Sequence, residues 1–302
     1  MFIVLTYVRL ILAVAFLVLT ERAVLRLTQI RKGPNVVRPL RVVQCVTDGV
    51  KLITKFNISL TPTSVLLYSF SPVSLIILII LLISCLPIPG IINGWGASML
   101  LLFCILGLIS LPFILLGMCY RSTYSTVRSI RVIGLIMSYE ILMLIMLIFY
   151  KEVYGTWEWN STINEAISPR RLTSRLVFFI PILVLWLIEL RRTPFDLAER
   201  ESELVSRFNV EYGGWRFLLF FFSEILALLV MSIIFSSLLI ISSSFLRKTV
   251  RMVTFVVLSL YIRSLLPRFR LMDVQTFIWF RLTPVVLMFR CLSFYLSFLY
   301  CS

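Results

Sequence analysis

An all-α polytopic membrane protein, with about eight transmembrane helices plus interfacial amphipathic helices, is the fold class that three observations predict. The chain of 302 residues is 60% hydrophobic with a mean hydropathy of +1.02, whereas soluble domains are about 45–50% apolar. Its apolar runs suit helices, since a bilayer core takes roughly 20 mainly apolar residues per crossing. They lack the alternation, about ten residues at a time, of membrane strands. Its cations collect in alternate loops. A single membrane domain over 1–302 accommodates all three.

Read in order, spans are predicted over 2–19, 64–87, 98–118, 130–150, 172–190, 216–241, 250–266 and 276–300. "LTER", not a small-residue cleavage site, follows the first run, which therefore reads as a retained span and not a signal peptide. The seventh is short, and the fourth carries Glu140.

The formal charge of +15 raises the question of nucleic acid, and its placement answers it. Of 29 Lys and Arg, eight lie from Arg22 to Lys55, three from Arg121 to Arg131, five from Arg191 to Arg216 and four from Arg263 to Arg281. Those 20 fall in the loops after spans 1, 3, 5 and 7 or, for Arg131, Arg216, Arg263 and Arg281, in the adjoining span ends, while "IPGIINGWGA" after span 2 has none. This is a positive-inside pattern. It predicts 20–60 and 191–215 as polar loops on one side, with both termini opposite. The expected partner is the lipid bilayer and not nucleic acid.

Absent residue types exclude much chemistry. With no histidine, haem held by His and the His-bound zinc and copper sites are excluded for this chain alone. Cysteines 45, 85, 104, 119, 291 and 301 show no C-x-x-C spacing, so neither an iron–sulfur cluster nor structural disulfides are suggested. No P-loop or G-x-G-x-x-G follows a strand. No redox centre or metal site is expected in this chain.

Two polar segments interrupt the membrane pattern. In the first, Gly33-Pro34-Asn35 marks a turn and Pro39 can open a helix. From Leu40, the apolar residues Val42, Val43, Val46, Val50 and Ile53 recur at helical spacing, with Arg41, Gln44, Asp48, Lys51 and Lys55 opposite. The spacing predicts an amphipathic helix lying in the interface; a solvated loop would not account for the periodicity. The second, "RRTPFDLAERESELVSRFNVEYGG", holds five of the fourteen acids. There Thr193 suits an N-cap, Pro194 the first helical position, and Asp196 the positive helix end. At 100° per residue, Asp196, Glu199 and Glu203 share one face, and Leu197, Ala198, Leu204, Val205 and Phe208 the other. A solvated acidic face does not explain Glu201, which projects among the apolar residues.

Further acids occur where hydrocarbon is expected: Glu140 mid-span, Glu189 at the end of span 5 and Glu224 inside span 6. Ionisable groups at membrane depth are costly, face the bundle interior or water, and often serve proton relays. Burial without a partner raises a carboxyl pKa toward neutrality. The other reading is packing against an arginine, with Arg131 and Arg192 as candidate partners.

"TER…QIRKGPNVV", "DGVKLITK", "SYE", "RTPFDLAE.ESELVS.FNVEY" and "IR…PRFR", in this order over nearly the whole chain, resemble the subunit-1 family of the membrane arm of proton-pumping NADH:ubiquinone oxidoreductase, respiratory complex I. The resemblance implies an eight-helix, non-redox subunit joining the peripheral and membrane arms. Ubiquinone would be the substrate, while NAD, FMN and iron–sulfur clusters would sit on partner subunits. It would place Arg22, Arg31, Asp48, Phe208 and Arg263 around the quinone chamber or its entrance. Glu140, Glu189, Glu199, Glu201 and Glu224 would begin the acidic route into the membrane arm. The mitochondrial inner membrane is the implied location, favoured by Phe, Leu and Ile richness and no transit peptide; a bacterial plasma membrane is the alternative.

Departures from that family pattern are specific. Arginine stands where glycine is usual at Arg26, Arg38, Arg41, Arg128, Arg200 and Arg207, and where a small residue is usual at Arg216. A codon read as arginine here but translated as glycine in the source would produce this set. The stretch after "PRFR" reads Arg270-Leu-Met-Asp273, one residue longer than the family's R-x-D, so Asp273 takes no role. Two other classes share some features. A secondary cation or proton transporter would use the same acids, but such folds tend to show internal repeats, and none is evident here. The related membrane subunit of a membrane-bound hydrogenase would bind no quinone.

Overall fold

The computed structural model describes residues 2–30, 44–55, 65–86, 98–119, 123–154, 157, 169–190, 192–195, 214–239 and 245–291. Among them every regular element is a helix. We label them α1 (Phe2–Thr28), α2 (Gln44–Thr54), α3 (Val65–Ser84), α4 (Ser98–Leu108), α5 (Ser110–Cys119), α6 (Thr123–Tyr154), α7 (Pro169–Glu189), α8 (Gly214–Leu239), α9 (Phe245–Leu265) and α10 (Leu271–Thr276). After α10 a π-helical turn, Phe277–Leu282, continues into helix as far as Cys291. Among the described residues, four stretches are long and apolar enough to cross a membrane: Leu66–Ser84, Ser129–Lys151, Gly214–Leu238 and Leu271–Cys291. The protein is thus a helical membrane protein; the expectation of about eight spans goes beyond these four.

Where element bounds differ from the sequence reading, local chemistry gives the reason. The stretch 98–118 is two helices. At the joint, the Ile109 amide is shared between the Ile105 and Leu106 carbonyls, the Ser110 hydroxyl donates to the Gly107 carbonyl at 2.6 Å, and Pro112 follows, with no amide hydrogen to give. Helix α1 runs beyond residue 19 through "TER" and stops where Ile30 takes φ 51, the left-handed conformation of a helix end. The last span begins at Leu271, not 276. Gly214, with φ 61, starts α8 in a conformation that side chains disfavour.

Several buried hydroxyls inside these helices are satisfied locally. The buried hydroxyls of Ser223, Ser232 and Ser259 donate to the carbonyls of Phe220, Leu229 and Val256 at 2.6–2.7 Å. That self-sufficiency suits a medium without water to bond them. Outward positions are apolar: Leu66, Ile180 and Phe280 are 84%, 69% and 79% exposed. Such patches need lipid or partner chains to cover them.

Helix α8 is the hub, packing against α1, α2, α3, α7 and α9, while α6 packs against α4, α5, α7 and α10. Helix α7 touches both hubs, so the three helices that carry Glu140, Glu189 and Glu224 are neighbours in the order α6, α7, α8. Trp186, fully buried on α7, meets the edge of Phe255 of α9 at 5.1 Å between centroids.

Candidate ionic site and intramembrane acids

The site begins with a carboxylate on the buried face of a helix. Val14, Leu17 and Val18 of α1 are all buried, and Glu21 follows them at seven, four and three residues, hence on the same face. Its Oε1 accepts a hydrogen bond from Nη1 of Arg192 at 2.7 Å and another from Nη1 of Arg263. Three distant segments thereby converge: the last turns of α1, the turn after α7, and the end of α9.

Backbone contacts pin this junction. The Thr193 hydroxyl donates to the Arg263 carbonyl at 3.1 Å. The Phe269 amide donates to the Pro194 carbonyl at 3.1 Å, and the rings of Phe195 and Phe269 lie 5.6 Å apart. The sequence predicts that Thr193 caps a helix opening at Pro194. Instead Pro194 and Phe195 lie in a turn, closed by the Phe195 amide on the Arg192 carbonyl at 2.9 Å.

Arg22, adjacent to Glu21, points elsewhere. Its Nη1 donates to Oδ2 of Asp48 on α2 at 3.3 Å, a pair with 55% and 40% of its side chains exposed, worth little to stability. The amphipathic segment from Leu40 is described as a helix from Gln44. Its protein-facing side differs from the expected apolar stripe: Gly49 faces Leu218 of α8, 3.8 Å from where a Cβ would sit, and the Cys45 thiol donates to the Ala15 carbonyl at 3.1 Å. Val50 and Ile53 are 53% and 60% exposed, as for a helix that packs on one side and offers apolar residues to lipid. Burial pushes the Cys45 thiol above its ordinary value, more than nearby Arg22 lowers it, and Asp48 adds to the rise.

The acids lie at graded positions. Glu189 is buried and closes α7, three residues before Arg192. Glu224 lies ten residues into α8, about 15 Å along the axis at 1.5 Å per residue. Glu140, half-buried on α6, faces Gly107 of α4, where an added Cβ would be 3.6 Å from its Oε1. Nearer the start of α6, Gly134 faces Gln275 of α10, its Cβ position 3.2 Å from Nε2.

The structure therefore brings Arg22 to Asp48, and Arg263 to Arg192 through Glu21. Arg192, a candidate partner for the intramembrane acids, pairs with Glu21. Arg31, Phe208, Glu199 and Glu201 lie outside the described residues. Glu21 has no role in the sequence reading, although its spacing from Val14, Leu17 and Val18 carries the signal. Among the described residues, no three Cys, Asp or Glu side chains gather as a metal ion would require. The cluster can hold hydrogen-bond donors in place for an electron-rich oxygen.

Comparison with known proteins gives one consistent result. The profile of the NADH dehydrogenase family matches residues 1–294. The chain is similar to NADH-ubiquinone oxidoreductase chain 1 of Phascolarctos cinereus, 34% identical over 294 residues, covering 92% of this chain and 90% of the relative. The protein of the same name from Danio rerio is 33% identical over 293 residues, covering 92% and 88%. From Branchiostoma lanceolatum the figures are 32% over 294 residues, 95% and 92%.

Proposed function

The chain belongs to the NADH dehydrogenase family, and from that premise we propose that it is a non-redox core membrane subunit of NADH:ubiquinone oxidoreductase. It forms part of the ubiquinone chamber and couples quinone reduction to proton translocation through intramembrane acids. Electrons arrive from partner subunits that hold FMN and iron–sulfur clusters; ubiquinone is the substrate. The protein sits in the mitochondrial inner membrane, crossing it about eight times, with 20–60 and 191–215 on one side. Other subunits of the peripheral and membrane arms cover its exposed apolar faces.

The observation that carries this reading is the meeting of Glu21, Arg192 and Arg263 three residues beyond the buried Glu189. Guanidinium donors there suit the carbonyl oxygens of a quinone. Arg22 and Asp48 hold α2 beside α1, and Arg31 and Phe208 complete the chamber wall or entrance. When the charge at the chamber changes, Glu189 is the first membrane acid to feel it. Glu224 on α8 and Glu140 on α6 follow, on helices that flank α7. Such a series, linked by water, exchanges protons while sharing the cost of desolvation. Glu199 and Glu201 join the chamber to this series.

Purification tests the assignment. Affinity capture of this chain from its native membrane is expected to co-isolate flavin and iron–sulfur subunits with NADH:quinone reductase activity. A chain that purifies alone and carries cations across vesicles contradicts it.

A further inference from the structure

We propose that Glu21 is a positioning residue for the quinone site: its carboxylate fixes Arg192 and Arg263 and holds the charge of the pair to a single surplus cation. The proposal rests on the quinone-chamber reading above.

Two guanidiniums on one carboxylate oxygen is an unusual economy of partners. Oε1 of Glu21 accepts from Nη1 of both arginines. The side chains of Glu21 and Arg192 are 13% and 17% exposed, and that of Arg263 is 36% exposed. Partial burial of this kind makes Coulomb terms larger than at a surface. Without the carboxylate, two like charges near one point would repel and swing apart. With it the three side chains carry one net positive charge.

Each guanidinium carries five N–H donors in a rigid fork and gives one of them to Glu21. The remaining donors are oriented by that bond. The backbone adds its own restraint, because the carbonyl of Arg263 accepts from Thr193, the residue after Arg192. The cluster is thus assembled before any substrate arrives, and ordering it costs nothing at binding. A surplus of one positive charge favours an electron-rich carbonyl oxygen. It is too small to make the site a trap for multivalent anions, which two unopposed guanidiniums would be.

The test uses the assembled complex carrying Glu21→Gln, which keeps size and one acceptor but removes the charge. The expected result is a KM for short-chain quinone raised on the order of tenfold, the worth of one charge-assisted hydrogen bond, with kcat less affected. Inorganic phosphate becomes an inhibitor, and Glu21→Asp restores resistance to phosphate. NADH oxidation by an artificial acceptor, upstream of this chain, stays at the wild-type rate. Wild-type KM together with wild-type phosphate resistance in Glu21→Gln overturns the proposal. If Glu21→Gln does not assemble, Glu21→Asp decides by its own KM: raised supports positioning, unchanged overturns it. Arg192→Lys and Arg263→Lys separate this from the parent reading. If both leave quinone KM unchanged, the chamber assignment itself falls; if they raise it while Glu21→Gln does not, only the positioning role falls.

Discussion

Gly107 of α4 and Glu140 of α6 lie face to face: a Cβ on the glycine would stand 3.6 Å from the carboxylate's Oε1. That is ordinary contact, so Gly107→Ala is expected to assemble normally and to gain about 1 kcal/mol of helix propensity. Gly107→Val adds bulk beyond contact, and overpacking costs about 1–3 kcal/mol. Native gels should show intact complex for the alanine variant and reduced assembly or quinone reductase activity for valine. Equal behaviour of both would place Glu140 farther from α4.

The Cys45 thiol gives a pH-dependent prediction. Burial raises its pKa, so it stays protonated, and slow to alkylate, to higher pH than a free thiol. Maleimide labelling, followed by peptide mapping, should accelerate only above the ordinary thiol range. The sign follows from the direction of shift. The folded chain's hold on this proton stabilises it below the unfolded pKa, and that contribution is lost as pH rises through the folded value. Rapid labelling of Cys45 at neutral pH would contradict the packing of α2 on α1.

Much of this was legible in the sequence, and the misses have physical causes. The helical runs and their apolar outer faces follow from composition and span length. The joint at Ile109 does not, because it depends on a hydroxyl and a shared amide inside an unbroken apolar run. Glu21 was readable as a carboxylate in phase with Val14, Leu17 and Val18, yet "TER" looked like the polar edge of a span that ends earlier. Its union with Arg192 joins residues 171 apart, and only tertiary packing decides such a pair. The apolar stripe of α2 was visible; that Val50 and Ile53 turn away from the protein depends on where α1 and α8 lie.

Arg216 bears on how its codon is decoded. Its guanidinium lies 4.5 Å from the Tyr68 ring and 5.4 Å from the Trp215 ring. Its Nε is buried without a hydrogen-bond partner among the described residues, a cost that a small residue avoids. Mass spectrometry of the native protein is expected to find glycine at positions 38, 200 and 207, and at 216 as well. Arginine-bearing peptides there would overturn the decoding argument and require acidic neighbours for those side chains.

Quinone reduction in Glu189→Gln and Glu201→Gln tests the central claim most directly, since glutamine keeps size and hydrogen bonding but cannot titrate. The account predicts complex that assembles, oxidises NADH with an artificial acceptor at close to the wild-type rate, and reduces quinone slowly with diminished proton translocation. Quinone reduction and proton translocation both at wild-type rates, in both variants, would contradict it and leave these acids as packing partners.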